Sequence, residues 1–274
     1  MACGLVGIVG VPAGTGPASA QTKLDARYVV TLAGLPIGRG AWFIDISNDE
    51  YTVAANGKTT GLASIISNGE GMTAAHGRVV RGNLVPSSYV SNVKTDAYTE
   101  EMRLTLAGGN VKASVIEPTP PVFPDRIPVT EAHRKNVNDP MTGALARVAG
   151  TGDVLGPEAC NRKISLFDGR LRYDLKLSYK RTDSVRADTG YAGPAAVCGI
   201  SFVPIAGYIP GRKAITYLVA QRDIEVWLVP LAGTRFVVPY RLAIPTPLGL
   251  GMLEATQFVA TPMPSRASAA VTRP

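Results

Sequence analysis

The sequence predicts an all-β, mainly antiparallel chain, an open or spiral β-barrel-like sheet carrying one short helix. Three observations predict it. Apolar and polar residues alternate with a period of two from end to end, so segment after segment has one buried and one wet face. Clusters such as Ala33-Gly34-Leu35-Pro36, Asn56-Gly57, Asn68-Gly69 and Gly108-Gly109-Asn110 punctuate the alternation as turns. Many short strands with regular turns mean a sandwich or a barrel. Pro239, inside an otherwise strand-like run, cannot donate to a ladder, which places an edge or a bulge there and favours an open barrel over a closed, regular one.

In chain order, the first twenty residues, "MACGLVGIVGVPAGTGPASA", carry no charge, and polarity begins at Gln21. An apolar stretch ending in Ala18-Ser19-Ala20 reads as a signal-peptide-like segment over 1–20, although it lacks the basic start of such peptides. The preferred reading is export to the periplasm, with a start codon placed too far downstream or a degenerate signal; a glycine-rich amphipathic arm is the alternative. No later segment has the ~18 uninterrupted apolar residues of a membrane helix, so no transmembrane helix is expected in the mature chain.

Residues 21–260 then read as a single β-rich domain. Strand-like runs occur at Tyr28–Leu32, Trp42–Ile46, Tyr51–Ala55, Met102–Leu106 and Val111–Val115. "EPTPPVFPDRIP", over 117–128, is an extended Pro-rich connection between two halves. In "NDPMTGALARVAG", Asp139 caps a short helix, Pro140 takes its first position and Gly150 stops it. "FDGRLRYDLKL" is half of a hairpin: Asp168-Gly169 makes a two-residue turn, pairing Leu166 with Leu171, Ile164 with Tyr173 and Cys160 with Leu177. Further strands are expected at Ala195–Phe202, Ile215–Ala220, Ile224–Val229, Phe236–Ile244 and Leu253–Val259, followed by a flexible tail over 261–274.

Cleavage of the leader removes Cys3 and leaves Cys160 and Cys198, both on buried faces of alternating runs, which suggests a disulfide in an oxidising compartment. The alternative is two inert buried thiols.

Composition excludes several function classes. With 46% hydrophobic and 18% charged residues the chain is neither disordered nor fibrous. The net charge of +7 comes from 28 Lys and Arg scattered without long runs, so no nucleic-acid partner is predicted. Only His76 and His133 are present, and neither has a Cys or carboxylate at metal-ligand spacing, so no metal and no cofactor are expected. "NGKTTG" lacks the first glycine of a phosphate loop, and the glycines of "GTGDVLG" do not match a dinucleotide fingerprint. Glu100 and Glu101 alternate across a strand and face opposite sides. Arg170, Arg172 and Lys176 form a wet cationic face that keeps the strand soluble or meets anionic headgroups. Tyr28, Trp42, Tyr173, Tyr179 and Trp227 are read as core rather than as a ligand platform.

The ordered segments "YVVTLAGLPIGRG", "LVPSSYV", "DPMTGALA", "CNRKISLFDGRLRYDLKL", "VCGISFVPIAGY", "IEVWLVP" and "VPYRLAIPTPLGLGMLEA" resemble the bacterial exported proteins grouped as domain of unknown function 3108. The resemblance spans about Arg27 to Phe258 and implies a secreted, β-rich envelope protein of an alphaproteobacterial type, with no established activity or catalytic residues. A fold-level analogy links it to periplasmic open barrels and β-spirals that carry lipids or lipoproteins. The leading expectation is a non-catalytic periplasmic protein that binds an apolar envelope component, a lipid or lipoprotein, or a periplasmic protein partner, through residues the sequence does not name. The alternatives are a hydrolase of an envelope polymer, with His76, Asp45, Asp168 or Asp174 as base, and a purely structural envelope protein.

Overall fold

Fifteen strands join one sheet in the computed structural model, which describes residues 21–61, 64 and 68–263. Strands β1 (Gln21–Leu32), β2 (Leu35–Ile46), β3 (Glu50–Thr59), β4 (Gly69–Val80), β5 (Asn83–Thr95), β6 (Thr99–Ala107) and β7 (Asn110–Glu117) form an antiparallel meander. In β1, Leu24, Ala26 and Tyr28 are buried while Lys23 and Arg27 are exposed, so the period-two pattern turns one face inward. The β1–β2 turn holds Ala33 and Gly34 at φ 49° and 81°, the two positive values a type I′ hairpin needs.

The second half comprises β8 (Ala146–Arg147), β9 (Arg162–Phe167), β10 (Arg172–Arg186), β11 (Thr189–Gly190), β12 (Ala192–Ala206), β13 (Ile224–Pro230), β14 (Phe236–Thr246) and β15 (Gly249–Met263). The spatial order is β7-β6-β5-β4-β3-β2-β1-β15-β14-β13-β12-β10-β9; β8 pairs with β14, and β11 lies parallel to β15. The first and last strands therefore meet mid-sheet, and β7 and β9 are the free edges. No strand pairing joins those edges among the described residues. The chain between them spans the gap: Val137 N–H donates to Gly109 O, Asn138 N–H to Ser165 O and Phe167 N–H to Asn138 O, each at 2.9 Å. The sheet stays open, and the connection after the Pro-rich segment acts as its seam.

Pro239 lies at a bulge: the register slips between Trp227 and Leu228, and Tyr28 Oη donates to the carbonyl that Pro239 leaves free, at 2.8 Å. Beyond the bulge β14 leaves β15 and pairs with β8. Cys160 and Cys198 are bonded, with Cα atoms 5.3 Å apart and both side chains fully buried beside Val148, Leu155, Val226 and Val237.

Several expectations are corrected. The β9–β10 turn is not the two-residue Asp168-Gly169 but Asp168–Leu171, because Asp168 Oδ1 accepts the N–H groups of Arg170 (2.8 Å) and Leu171 (2.7 Å). Leu166 consequently pairs with Tyr173 and Ile164 with Leu175, a slip of two residues that keeps every side chain on its expected face. Cys160 precedes β9, at the end of the 3-10 turn Pro157–Ala159. Asn56-Gly57 is not a turn but the middle of β3, where Gly57 pairs with Gly40. The capped helix α1 spans only Pro140–Gly143, since Ala146–Arg147 pairs with β14. Ile215–Ala220 is not a strand but part of a second helix, α2 (Lys213–Ala220), which partly buries Ile215, Tyr217 and Leu218. The expected tail begins later than 261, because Thr261, Pro262 and Met263 pair with Lys23, Thr22 and Gln21. The signal-peptide-like segment 1–20 and residues 264–274 lie outside the described residues.

Candidate functional site

Residues paired across a ladder share a face, so the register sorts side chains into inner and outer sets. One inner row runs Val30, Leu253, Leu242, Val226 and Cys198 across five strands. Tyr28 and Trp42 belong to the same face, through the pairs Tyr28 with Gly40 and Ala26 with Trp42. Between the two halves of the sheet this face encloses a cavity of about 390 Å³, walled by Tyr28, Trp42, Tyr173, Leu175, Ile200 and Leu228 and closed on one side by Pro140, Met141 and Ala144 around α1. Its lining is apolar almost throughout, with Asn56 as its amide. A second hollow of about 560 Å³ shares Leu242 and Leu253 with it and continues past Val30, Leu32, Ile37 and Ile244 to Leu248 at the β14–β15 turn. The two form one apolar route along the inner face of β1, β15 and β14.

Polar groups near α1 position it. Asp139 Oδ1 accepts the N–H of Thr142 at 2.9 Å, and Thr142 Oγ1 shares a 2.7 Å hydrogen bond with the Tyr51 hydroxyl from β3. Burial pushes the Asp139 carboxyl up, against the lowering effect of the hydrogen bonds from Thr142 and neighbouring backbone, and Oδ2 has no hydrogen-bond partner among the described residues. Burial likewise raises the phenols of Tyr28, Tyr51 and Tyr173 well above the usual tyrosine range. Neutral phenols offer hydrogen bonds without a charge to desolvate. Tyr28, Trp42 and Tyr173 thus line the cavity, and Tyr28 and Trp42 also belong to the core.

The remaining candidate site residues are dispersed. His76 is half exposed on the outer face of β4, 3.7 Å from Glu50 Oε2, and Asp45 pairs with Lys23 at 3.0 Å on the outer face of β2. Asp168 is spent on its turn; burial raises its carboxyl, opposed by the Leu171 and Arg170 N–H groups. Asp174 accepts from Arg172 Nη1 (2.6 Å) and Ser165 Oγ (2.9 Å), with Lys163 3.6 Å away. Burial opposes its charge, but the bonds from Arg172 and Ser165 and the charges of Arg172 and Lys163 prevail and hold the carboxyl below its ordinary range. Arg170 is ion-paired with Glu100, whereas Glu101 pairs with Arg103, so the two glutamates do face opposite sides. Lys176 is exposed. The fold assembles no His–carboxylate pair inside a cleft from these residues. Among the described residues no cluster of His, Cys, Asp and Glu has the makings of a metal site, and no helix is long and apolar enough to cross a membrane.

The outer face of β1–β5 carries a broad groove of about 1140 Å³ in which Arg39, Lys58, Glu70 and Lys94 stand side by side across four strands. Sequence reasoning did not find it, because these charges lie far apart in the chain and meet only through strand register.

A family model described as a protein of unknown function, DUF3108, matches residues 27–256. Among solved structures, a beta-barrel-like protein of the domain of unknown function DUF1849 from Brucella abortus is similar over 89% of this chain and 99% of that one, at 9% identity and a TM-score of 0.50, a likeness of fold. The curated proteins contain no match.

Proposed function

The chain belongs to the DUF3108 family, and on that footing we propose that it is a non-catalytic periplasmic protein that shelters an apolar envelope ligand, a lipid chain or the lipid part of a lipoprotein, within its half-open barrel. The observation that carries the reading is the inner cavity. Its volume of about 390 Å³ falls in the range of small-molecule sites, and its walls offer a ligand contact with carbon almost everywhere. Such a lining favours burial of an apolar chain at about 25 cal/mol per Å² removed from water, with no polar group of the ligand left to pair. The Cys160–Cys198 bridge supports the assignment to an oxidising compartment, where such bonds persist.

Uptake of a fluorescent polyene fatty acid tests the proposal. The chain is expected to enhance its emission in a saturable way, and Ile200→Trp, which fills the cavity from β12, is expected to abolish the enhancement while leaving the circular dichroism unchanged. No saturable uptake by the wild-type chain, together with no lipid detected by mass spectrometry of protein purified natively from periplasm, would sink the reading.

A further inference from the structure

Hairpin turns in an antiparallel sheet alternate between its two ends, and here the ends differ in what they expose. One end gathers the β1–β2, β5–β6, β9–β10 and β14–β15 turns, the start of the 118–139 connection and helix α2. Twelve large apolar residues are exposed on the described surface, and all but Phe43, Val80, Val115 and Val259 lie at or near this end. Leu35 is 62% exposed and Leu248 75%, each at the tip of a hairpin. The two tips are locked side by side: Ala33 N–H donates to Leu250 O at 2.9 Å, and a Cβ on Gly249 would meet that of Ala33 at 2.8 Å. No charged residue occurs from 28 to 38 or from 242 to 253. These tips frame the outer mouth of the apolar route to the cavity, since Leu248 itself lines the hollow beneath them.

Just behind the tips stand cations. Arg39 and Lys58 are directly paired across β2 and β3, a like-charge arrangement that is unfavourable unless an anion sits over it. Lys94 follows two strands on, with Glu70 as the one acid in the row. All three cations are exposed and without an ion pair among the described residues. Arg212 and Arg222 flank α2, which Lys213 opens, at the same end. Tyr98, 55% exposed at the β5–β6 turn, adds the amphipathic ring common at lipid–water boundaries.

We propose that this end docks on an anionic phospholipid surface, with Leu35, Leu248 and Leu250 dipping among the acyl chains and Arg39, Lys58 and Lys94 on the headgroups, so that a lipid chain passes from the membrane into the barrel. Apolar tips flanked by cations across β2–β5 and at α2 match an anionic interface, where each basic side chain and each buried leucine adds to binding. The inference rests on the cavity reading, whose ligand it supplies from a membrane.

Co-sedimentation with vesicles of phosphatidylglycerol and phosphatidylcholine, against phosphatidylcholine alone, tests it. Wild type is expected to bind the anionic vesicles preferentially. Leu35→Asp with Leu248→Asp is expected to weaken that binding about tenfold or more, and Arg39→Glu with Lys58→Glu by about tenfold on anionic vesicles alone. Val80→Asp, at the opposite end, is expected to change nothing, and thermal melts establish that each variant is folded. Equal binding to both vesicles, or folded leucine variants that bind like wild type, overturns the proposal. A concentration-dependent dimer that Leu248→Asp dissolves also overturns it, assigning the patch to a second copy. Fatty acid uptake without vesicles separates the two readings: uptake without docking defeats this inference alone, whereas docking without uptake keeps the docking surface but defeats the cavity reading and, with it, the passage of lipid into the barrel.

Discussion

The two halves of the sheet are both antiparallel meanders, but they differ in how many of their faces are buried. In β1–β7 each strand pairs with its neighbours in sequence, and one face is buried while the other is wet. In β8–β15 the ladder β9-β10-β12-β13-β14-β15 is likewise sequential, with β8 and β11 off its path and β15 crossing to β1, but β13 buries Val226 and Leu228 on one face and Trp227 and Val229 on the other. The first half buries its inner face in one core cluster. The second adds a separate cluster between the segment from Ala146 to Cys160 and β12–β14, and among the described residues it alone carries a covalent cross-link, from the turn before β9 to β12. Burial of one face shapes a wall, whereas burial of both, pinned by the bridge, sets the cavity against it.

The sharpest way to break this contrast is to open the bridge. Cys160→Ser with Cys198→Ser is expected to lower stability by about 4 kcal/mol, because the residues are 38 apart and the unfolded chain regains the freedom of that loop. Denaturant unfolding followed by hydrogen exchange should show protection falling first at β9, β10 and β12, with β1–β4 little changed. Uniform loss over both halves would mean that they unfold as one unit. A smaller effect is expected at Gly207, where the connection, the β9–β10 turn and the end of β12 meet. Gly207 has φ +83° and a Cβ there would lie 1.7 Å from Arg170 O, while its own N–H donates to Ile127 O at 2.8 Å. Gly207→Ala should cost about 3 kcal/mol, from left-handed strain and a backbone clash. Gly169→Ala meets chiefly the flexible Met102 side chain and should cost less in the same denaturant titration.

The same contrast decides what was legible in the sequence. Strands β1, β2, β3, β6 and β7 announce themselves through alternation because one face is wet. The run "NLVPSSYVSNVKT" of β5 does not, since Ser91 dilutes the buried face that Tyr89 holds, Val90 breaks the polar one, and Pro86 interrupts the run. In α2, Ile215, Tyr217 and Val219 alternate as they would in a strand, and only the start after Pro210 and Gly211 and the Ile215–Leu218 spacing favour a helix. The disulfide was readable because compartment and face argued together. The cavity was not: Tyr28, Trp42, Tyr173 and Ile200 lie far apart in the chain, and only the meeting of β1 with β15 puts them around one space. The cationic row of the docking end was hidden for the same reason.

The smallest expected effects separate two buried carboxylates that the halves use in opposite ways. Asp174 is held charged within the second half by Arg172, Ser165 and Lys163, so its carboxyl titrates below the ordinary value of 3.8. Its stabilisation is fully present above the unfolded value and is lost as the pH falls through the folded one. Asp174→Asn should therefore cost about 1–2 kcal/mol near pH 7, since Arg172 keeps only a neutral acceptor, and the difference from wild type should vanish in acid. Asp139, at the junction of the halves, is pushed up by burial, so its ionisation works against folding and the penalty grows as the pH rises past the unfolded value. Asparagine retains a side-chain oxygen to accept the Thr142 N–H and cannot ionise. Asp139→Asn should thus match or exceed wild type near pH 7 and lose that advantage in acid, the reverse of the trend at 174. Urea midpoints of the two variants across about pH 3 to 7 check both signs at once. If both variants lose stability alike near neutral pH, Asp139 is a charged partner in the seam, and the junction is held by electrostatics rather than by a neutral hydrogen-bonded cap.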